Sequence, residues 1–260
     1  MRNVSDIASL KADRKISMIT AYDALMTKLF DEFVDIILVG DSLSMSFGGE
    51  SDTLSITFDE MIYHTRAVCR ARKNAMVIFD MPFGSYTDAA QAVKNATKVY
   101  KSTCADAVKI EGGSERAHII RELTKNSIAV MGHIGLMPQF VRLEGGYKVK
   151  GRSEEERKKL LEDAKAIEEA GAFCLVLEGI KSDIATEITN SINIPTIGIG
   201  SGNGTDGQVL VWSDMLGFFT DFKPKFVKRY LNGAELIKDA VQKYVKEVEE
   251  GSFPSEEYSY

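Results

Sequence analysis

Short apolar runs recur along the chain, and four of them close on an acidic residue followed by a turn-former: VGDS at 39–42, IFDMP at 78–82, VKIEGG at 108–113 and VLEG at 176–179. A continuous apolar run is the pattern of a parallel strand buried on both faces, and a charge at its carboxyl end delivers a side chain into a site. Runs rich in Val, Ile, Leu or Met predict eight strands, over 16–22, 35–41, 76–80, 107–111, 128–133, 173–178, 194–199 and 208–211. Helical patterns lie between them, and Thr57 with Glu60, Asp88 with Gln91 and Ser153 with Glu156 have capping-box spacing. After Asp88 the apolar positions are Ala89, Ala92, Val93, Ala96, Val99 and Tyr100; after Ser153 they are Leu160, Leu161, Ala164 and Ile167, with Gly171 placed to end the helix.

Strand, helix, strand repeated in this way predicts parallel strands with right-handed crossovers, in either a closed barrel or an open doubly wound sheet. An open dinucleotide-binding sheet carries a glycine-rich turn after its first strand, whereas here that strand runs into Thr20-Ala21-Tyr22-Asp23. The glycines cluster late, at Gly198, Gly200, Gly202, Gly204 and Gly207, so the expected fold is an α/β (β/α)8 TIM barrel. The 260 residues suit one such domain over 1–260, with a charged terminal helix over 233–251 and a loose tail over 252–260 whose Phe253, Tyr258 and Tyr260 are free to dock on a neighbour. The irregular segment 136–152 is expected to be a mobile loop over the barrel mouth.

Charge narrows the function classes. A formal net charge of −6 argues against a nucleic-acid surface, and the short basic runs at 70–73 and 157–159 read as solvated helix faces. No apolar stretch has signal-peptide length or approaches the ~20 residues that span a bilayer, which argues against a membrane. Cys69, Cys104 and Cys174 lie far apart and suggest neither a disulfide framework nor a zinc site, pointing to a reducing compartment, the cytoplasm.

Alternation along a strand puts Lys109 and Glu111 on one face and Val108 and Ile110 on the other, so the charged pair is expected to face the barrel interior. The same count places Asp41 in line with Ile37 and Val39, Asp80 with Met76 and Ile78, and Glu178 with Cys174 and Val176. Three acids from successive strands, Asp41, Asp80 and Glu111, would stand close enough to surround one cation, and an all-oxygen set suits Mg²⁺. The competing reading is three strand-end acids capping the helices that follow. Glu178, among apolar neighbours, is either a general base or a buried partner of Lys109. His133 is a metal ligand, a proton carrier or a residue that supports the site from behind, while His64 and His118 receive no role. Ser42 either meets an anionic substrate or caps a turn, and the glycine run at 198–204 is a weak candidate for an anion cradle.

With these residues in view, the chain resembles the ketopantoate hydroxymethyltransferase family. The resemblance rests on ITAYD at 19–23, LVGDSL at 38–43, DMPF at 80–83, VKIEGG at 108–113, GHIGLMPQ at 132–139, GGYKVKGR at 145–152, GIGSGNGTDGQVLV at 198–211 and the terminal FPSEEYSY. It implies a barrel of the phosphoenolpyruvate mutase and isocitrate lyase group, and addition of a hydroxymethyl group from 5,10-methylenetetrahydrofolate to 3-methyl-2-oxobutanoate in pantothenate biosynthesis. Carried over by position, it implies Mg²⁺ ligands at Asp41, Asp80 and Glu111, oxo-acid contacts at Asp41, Ser42, Asp80 and Lys109, and a proton acceptor at Glu178. It also implies a homo-oligomer, commonly a decamer. Gly48-Gly49-Glu50, Met137 and Ser201 depart from the usual pattern, outside the implied ligands. Two alternatives are a Mg²⁺-dependent lyase or mutase of the same group, whose lyase branch carries a KKCGH-like loop not present here, and a catalytically silent barrel, against which the four acids stand.

Overall fold

The computed structural model describes residues 1–220 and 223–260. Eight strands, β1 (Ile16–Thr20), β2 (Ile36–Val39), β3 (Met76–Asp80), β4 (Ala107–Glu111), β5 (Val130–Gly135), β6 (Cys174–Glu178), β7 (Thr196–Ile199) and β8 (Gly207–Leu210), close into one barrel in sequence order. Each is parallel to its neighbours, and β8 returns to β1 through the pairs Ile16 with Gly207 and Met18 with Val209. All eight expected strands form. The runs at 16–22 and 35–41 end early because Asp23 turns to cap the next helix and Gly40 opens a turn.

The barrel interior is a packed apolar core, not a channel. Ile16, Met18, Ile36, Leu38, Met76, Ile78, Met131, Cys174, Val176, Ile197 and Val209 form one buried cluster. Helix α1 (Val4–Ser9) adds Ile7 to this cluster, and Leu10 follows it in.

Outer helices include α2 (Ala24–Phe30), α3 (Phe58–Ala71), α4 (Ala89–Ser102), α5 (Ala117–Lys125), α6 (Glu154–Glu169) and α7 (Ser182–Ser191). Their starts follow the expected chemistry with one shift. Thr57 and Glu60 make the full reciprocal box before α3. Asp88 and Ser153 each accept from the N–H three residues on, but the returning side chains of Gln91 and Glu156 reach one residue further back, to the N–H groups of Thr87 and Arg152. On α4 the buried positions are Ala92, Ala96 and Val99, and on α6 they include Leu160, Ala164 and Ile167; Gly171 then takes a positive φ of 95°.

Three expectations need correction. Cys69 on α3 and Cys104 before β4 form a disulfide, with Cα atoms 5.5 Å apart; a 35-residue separation conceals a pairing that the βαβ crossover creates, and cysteine usage no longer argues for a reducing compartment. Cys174 is free and buried. Segment 136–152 is not wholly irregular: Pro138–Phe140 forms a 3-10 turn and Val141–Glu144 a turn of α-helix. The tail after residue 251 is not loose, since Phe253 stacks edge-on against Tyr244 at 5.6 Å and lies 6.0 Å from Tyr258.

The chain divides into two compact units, Met1–Val211, which holds the whole barrel, and Trp212–Tyr260, which holds helix α8 (Gly233–Glu249). Among the described residues no helix is long and apolar enough to cross a membrane.

Candidate active site at the barrel mouth

Interior positions change character from the amino to the carboxyl end of the strands. Met76 and Ile78 give way to Asp80 on β3, Ala107 to Lys109 and Glu111 on β4, Met131 to His133 on β5, and Cys174 and Val176 to Glu178 on β6. Register brings them together: Asp80 pairs with Lys109, Glu111 with His133, and Gly135 with Glu178. Strand alternation therefore places Asp80, Lys109, Glu111 and Glu178 correctly. It fails for Asp41, because Ile36 and Leu38, not Ile37 and Val39, belong to the interior cluster. Asp41 enters from the turn after β2, and its N–H donates to Asp80 Oδ2 at 3.3 Å.

Asp41, Asp80, Lys109, Glu111 and His133 are all buried. Lys109 Nζ donates to Asp80 Oδ1 at 2.7 Å and lies 3.7 Å from Glu111 Oε1. Burial lifts the Asp41 carboxyl well above the usual carboxylate range, and the charges of Asp80 and Glu111 add to it. Asp80 is also raised, by burial first, against the pull of Lys109. Glu111 ends below its ordinary value despite burial, because Lys109 and His133 favour its charge. Burial opposes the charge on Lys109, yet the three carboxylates together raise its pKa.

His133 stands between two acids, with Nδ1 3.6 Å from Glu111 Oε1 and Nε2 3.4 Å from Glu178 Oε2. Burial and Lys109 both lower its pKa, but Glu111 and Glu178 outweigh them and hold it at about 9. The partner of Glu178 is therefore this histidine and not Lys109. Ser42 Oγ lies 2.8 Å from the Tyr22 hydroxyl at the edge of the acidic cluster. Ser201, in the glycine run, is buried and braces the barrel: its Oγ accepts from Ile180 N–H and donates to the Leu177 carbonyl.

Gln139 has no assigned role in the sequence reading, yet it ties the cluster together. Its N–H donates to Glu111 Oε2 at 3.0 Å, its side-chain amide donates to Asp41 Oδ2 at 2.9 Å and to the Met81 carbonyl at 3.0 Å, and its Oε1 accepts from the Tyr86 hydroxyl. Gly135 makes this possible: it has a φ of 102°, and a Cβ there would sit 2.2 Å from the Glu178 carbonyl. The one sequence signal was a glycine and a proline, Gly135 and Pro138, shortly before a polar residue that follows a strand end.

Among the described residues no three His, Cys, Asp or Glu side chains have their donor atoms already converged at metal-ligand spacing. The expected trio is instead a cluster of neighbours, with Asp80 drawn to Lys109 and Asp41 to Gln139. Its chemistry nevertheless fits a hard divalent cation. Glu111 Oε1 is buried without a hydrogen-bond partner, Asp41 and Asp80 are raised by crowding and burial, and no thiol or imidazole competes among the three.

The sequence profile of a family described as ketopantoate hydroxymethyltransferase matches residues 2–256. A 3-methyl-2-oxobutanoate hydroxymethyltransferase of Aliarcobacter butzleri (strain RM4018) is 60% identical over 258 residues, covering 99% of this chain and 96% of that protein. Among solved structures, a phosphonopyruvate hydrolase complex with oxalate and Mg²⁺ superposes with a TM-score of 0.64 at 13% identity, over 98% of this chain and 93% of the other. A 2,3-dimethylmalate lyase, a member of the PEP mutase/isocitrate lyase superfamily, gives 0.60 at 16% identity, over 100% and 92%. At these identities the structural likeness shows the fold alone, a closed β/α barrel.

Proposed function

The chain belongs to the ketopantoate hydroxymethyltransferase family, and on that premise we propose how its barrel mouth transfers a hydroxymethyl group to 3-methyl-2-oxobutanoate, a step of pantothenate biosynthesis. The observation that carries the proposal is the division of the mouth into two halves. Asp41, Asp80 and Glu111 gather around Lys109 on one side, and His133 links them to Glu178 on the other.

Asp41, Asp80 and Glu111 would hold Mg²⁺. When bound, such an ion draws electron density from the keto group of a 2-oxo acid and favours loss of a proton from the adjacent carbon. Ser42, at the edge of the cluster, binds the oxo acid through its hydroxyl together with Asp41 and Asp80. Lys109 offsets negative charge as it develops on the substrate. Glu178, with its side chain 18% exposed, is the most accessible of the four acids and accepts the proton from C3. His133, with Nε2 3.4 Å from Glu178 Oε2, orients it. The carbon so activated bonds to the one-carbon unit of 5,10-methylenetetrahydrofolate, water supplies the hydroxyl oxygen as that unit's bonds to nitrogen break, and 2-dehydropantoate and tetrahydrofolate are released.

The working form is a homo-oligomer. Supporting this, α8 carries Leu236, Ile237, Val241, Tyr244, Val245 and Val248, each between 44% and 56% exposed.

Glu178→Gln separates binding from proton removal. The variant should bind 3-methyl-2-oxobutanoate in the presence of Mg²⁺ but lose exchange of the C3 proton in deuterated water, followed by NMR; exchange at the wild-type rate would remove Glu178 as the base.

A further inference from the structure

Two adjoining hollows open beside the acidic cluster, of about 250 and 510 Å³, sizes near or within the ~300–1,000 Å³ typical of small-molecule sites. Both are lined by Phe83, Gln139 and Leu143, so they form one groove with two lobes that meet at Gln139. Gln139 is the residue whose amide touches Asp41, so the centre of the groove adjoins the place where the oxo acid reacts. The smaller lobe adds Tyr86, Phe140 and Arg116; the wider one adds Leu54, Ser55 and Arg142.

Three features mark the groove as a binding surface. Phe83 is 57% and Leu143 83% exposed, so large apolar side chains face solvent next to one of the most polar sites in the molecule. Arg142 is paired with Asp52 at 3.1 Å, but among the described residues Arg116 has no carboxylate within 4 Å. Arg116 Nε is buried without a hydrogen-bond partner, and the guanidinium rests over the Tyr86 ring at 5.7 Å. An aromatic wall ending in an unpaired guanidinium suits a flat aryl group that carries carboxylates.

We infer that this groove is where the folate co-substrate binds: its reactive one-carbon bridge lies at Gln139, its aminobenzoylglutamate arm follows the lobe of Phe83, Tyr86 and Phe140 with its carboxylates at Arg116, and its pterin occupies the wider lobe. The inference rests on the folate reading given above. The two-lobed shape suits a ligand whose reacting carbon lies between two ring systems. Such a molecule needs two compartments with the chemistry at their junction, and the lobes on either side of Gln139 provide that arrangement.

The test is the affinity of the full chain, with Mg²⁺ present, for tetrahydrofolate and for tetrahydropteroate, which lacks the glutamate, by anaerobic titration calorimetry. Arg116→Gln should weaken tetrahydrofolate at least tenfold and tetrahydropteroate less than twofold. Phe83→Ser, at an exposed position that does not threaten folding, should weaken both at least fivefold. Neither should change affinity for 3-methyl-2-oxobutanoate. If the wild type binds tetrahydrofolate and both variants bind it within twofold of wild type, the groove is not the site, while the folate reading stands. A wild-type chain that binds the oxo acid but no tetrahydrofolate, and makes no product from the methylene form, overturns the reading and the groove together.

Discussion

Gln139 shows how much one side chain can decide at a crowded polar site. An amide has two N–H donors and one carbonyl acceptor, and here Asp41, Met81 and Tyr86 use them all. Gln139→Leu keeps the volume close but leaves the Asp41 carboxylate and the Tyr86 hydroxyl without this partner in a buried setting. Each such loss costs ~1–3 kcal/mol, so the variant should unfold at lower urea concentration by roughly 2–5 kcal/mol. It should also bind Mn²⁺, an EPR-visible substitute for Mg²⁺, about tenfold more weakly, because nothing then fixes the orientation of Asp41. An unchanged urea midpoint would show that these bonds contribute nothing. The residue was not legible as a site member from sequence, and the reason is physical. Alternation along a strand fixes a side chain's direction only while the strand lasts, which is why Asp80, Lys109, Glu111 and Glu178 could be read and Gln139 could not. Asp41 shows the same limit: the count puts it in line with the wrong residues, and the turn through Gly40 brings it into the site all the same.

At the scale of elements, the strands were easily read because each is an apolar run bounded by polar or turn residues, and the closed barrel follows from eight of them alternating with capped helices. What sequence did not show is how neighbouring elements are fastened at the amino end of the barrel. Asp35, just before β2, accepts from both terminal nitrogens of Arg14, at 2.8 and 2.6 Å, and from the N–H and Oγ of Ser17 at the start of β1, while Arg2 Nε lies 2.9 Å away. Two of its partners come from the irregular stretch before β1 and the N-terminus, where no periodic pattern announces a contact. Burial alone would raise the Asp35 carboxyl, but Arg14 and Ser17 reverse that and hold it below its ordinary 3.8. A carboxyl depressed on folding stabilises the protein at pH above its unfolded value, and that contribution is lost as pH falls through the lower folded value. Asp35→Asn should therefore cost about 2 kcal/mol at pH 7, the scale of hydrogen bonds to a charged group. The difference from wild type should shrink as urea titrations are moved below pH 3.8. A gap that stays constant down to that pH would mean the charge of Asp35 plays no part.

The whole molecule joins a barrel that satisfies its own core to a second unit that does not hide its apolar surface. The barrel has no open sheet edge, since β8 pairs with β1, so it presents no template for strand addition. Residues 212–260 differ in kind. The six apolar residues on α8 share about half of the helix circumference, and each keeps roughly half of its surface accessible, a stripe large enough to drive association when covered. Burying a side chain of this size contributes ~1.5–3 kcal/mol, so even partial cover of several outweighs the ordering cost of a contact between copies. Light scattering coupled to size exclusion should accordingly give a mass that is a multiple of 28.7 kDa at micromolar concentration. The double substitution Leu236→Glu and Val241→Glu should shift that mass toward one chain, because two carboxylates in a covered apolar patch would be desolvated without partners. A wild-type mass of 28.7 kDa across that range, or a variant that keeps the wild-type mass, would remove the α8 stripe as the basis of assembly.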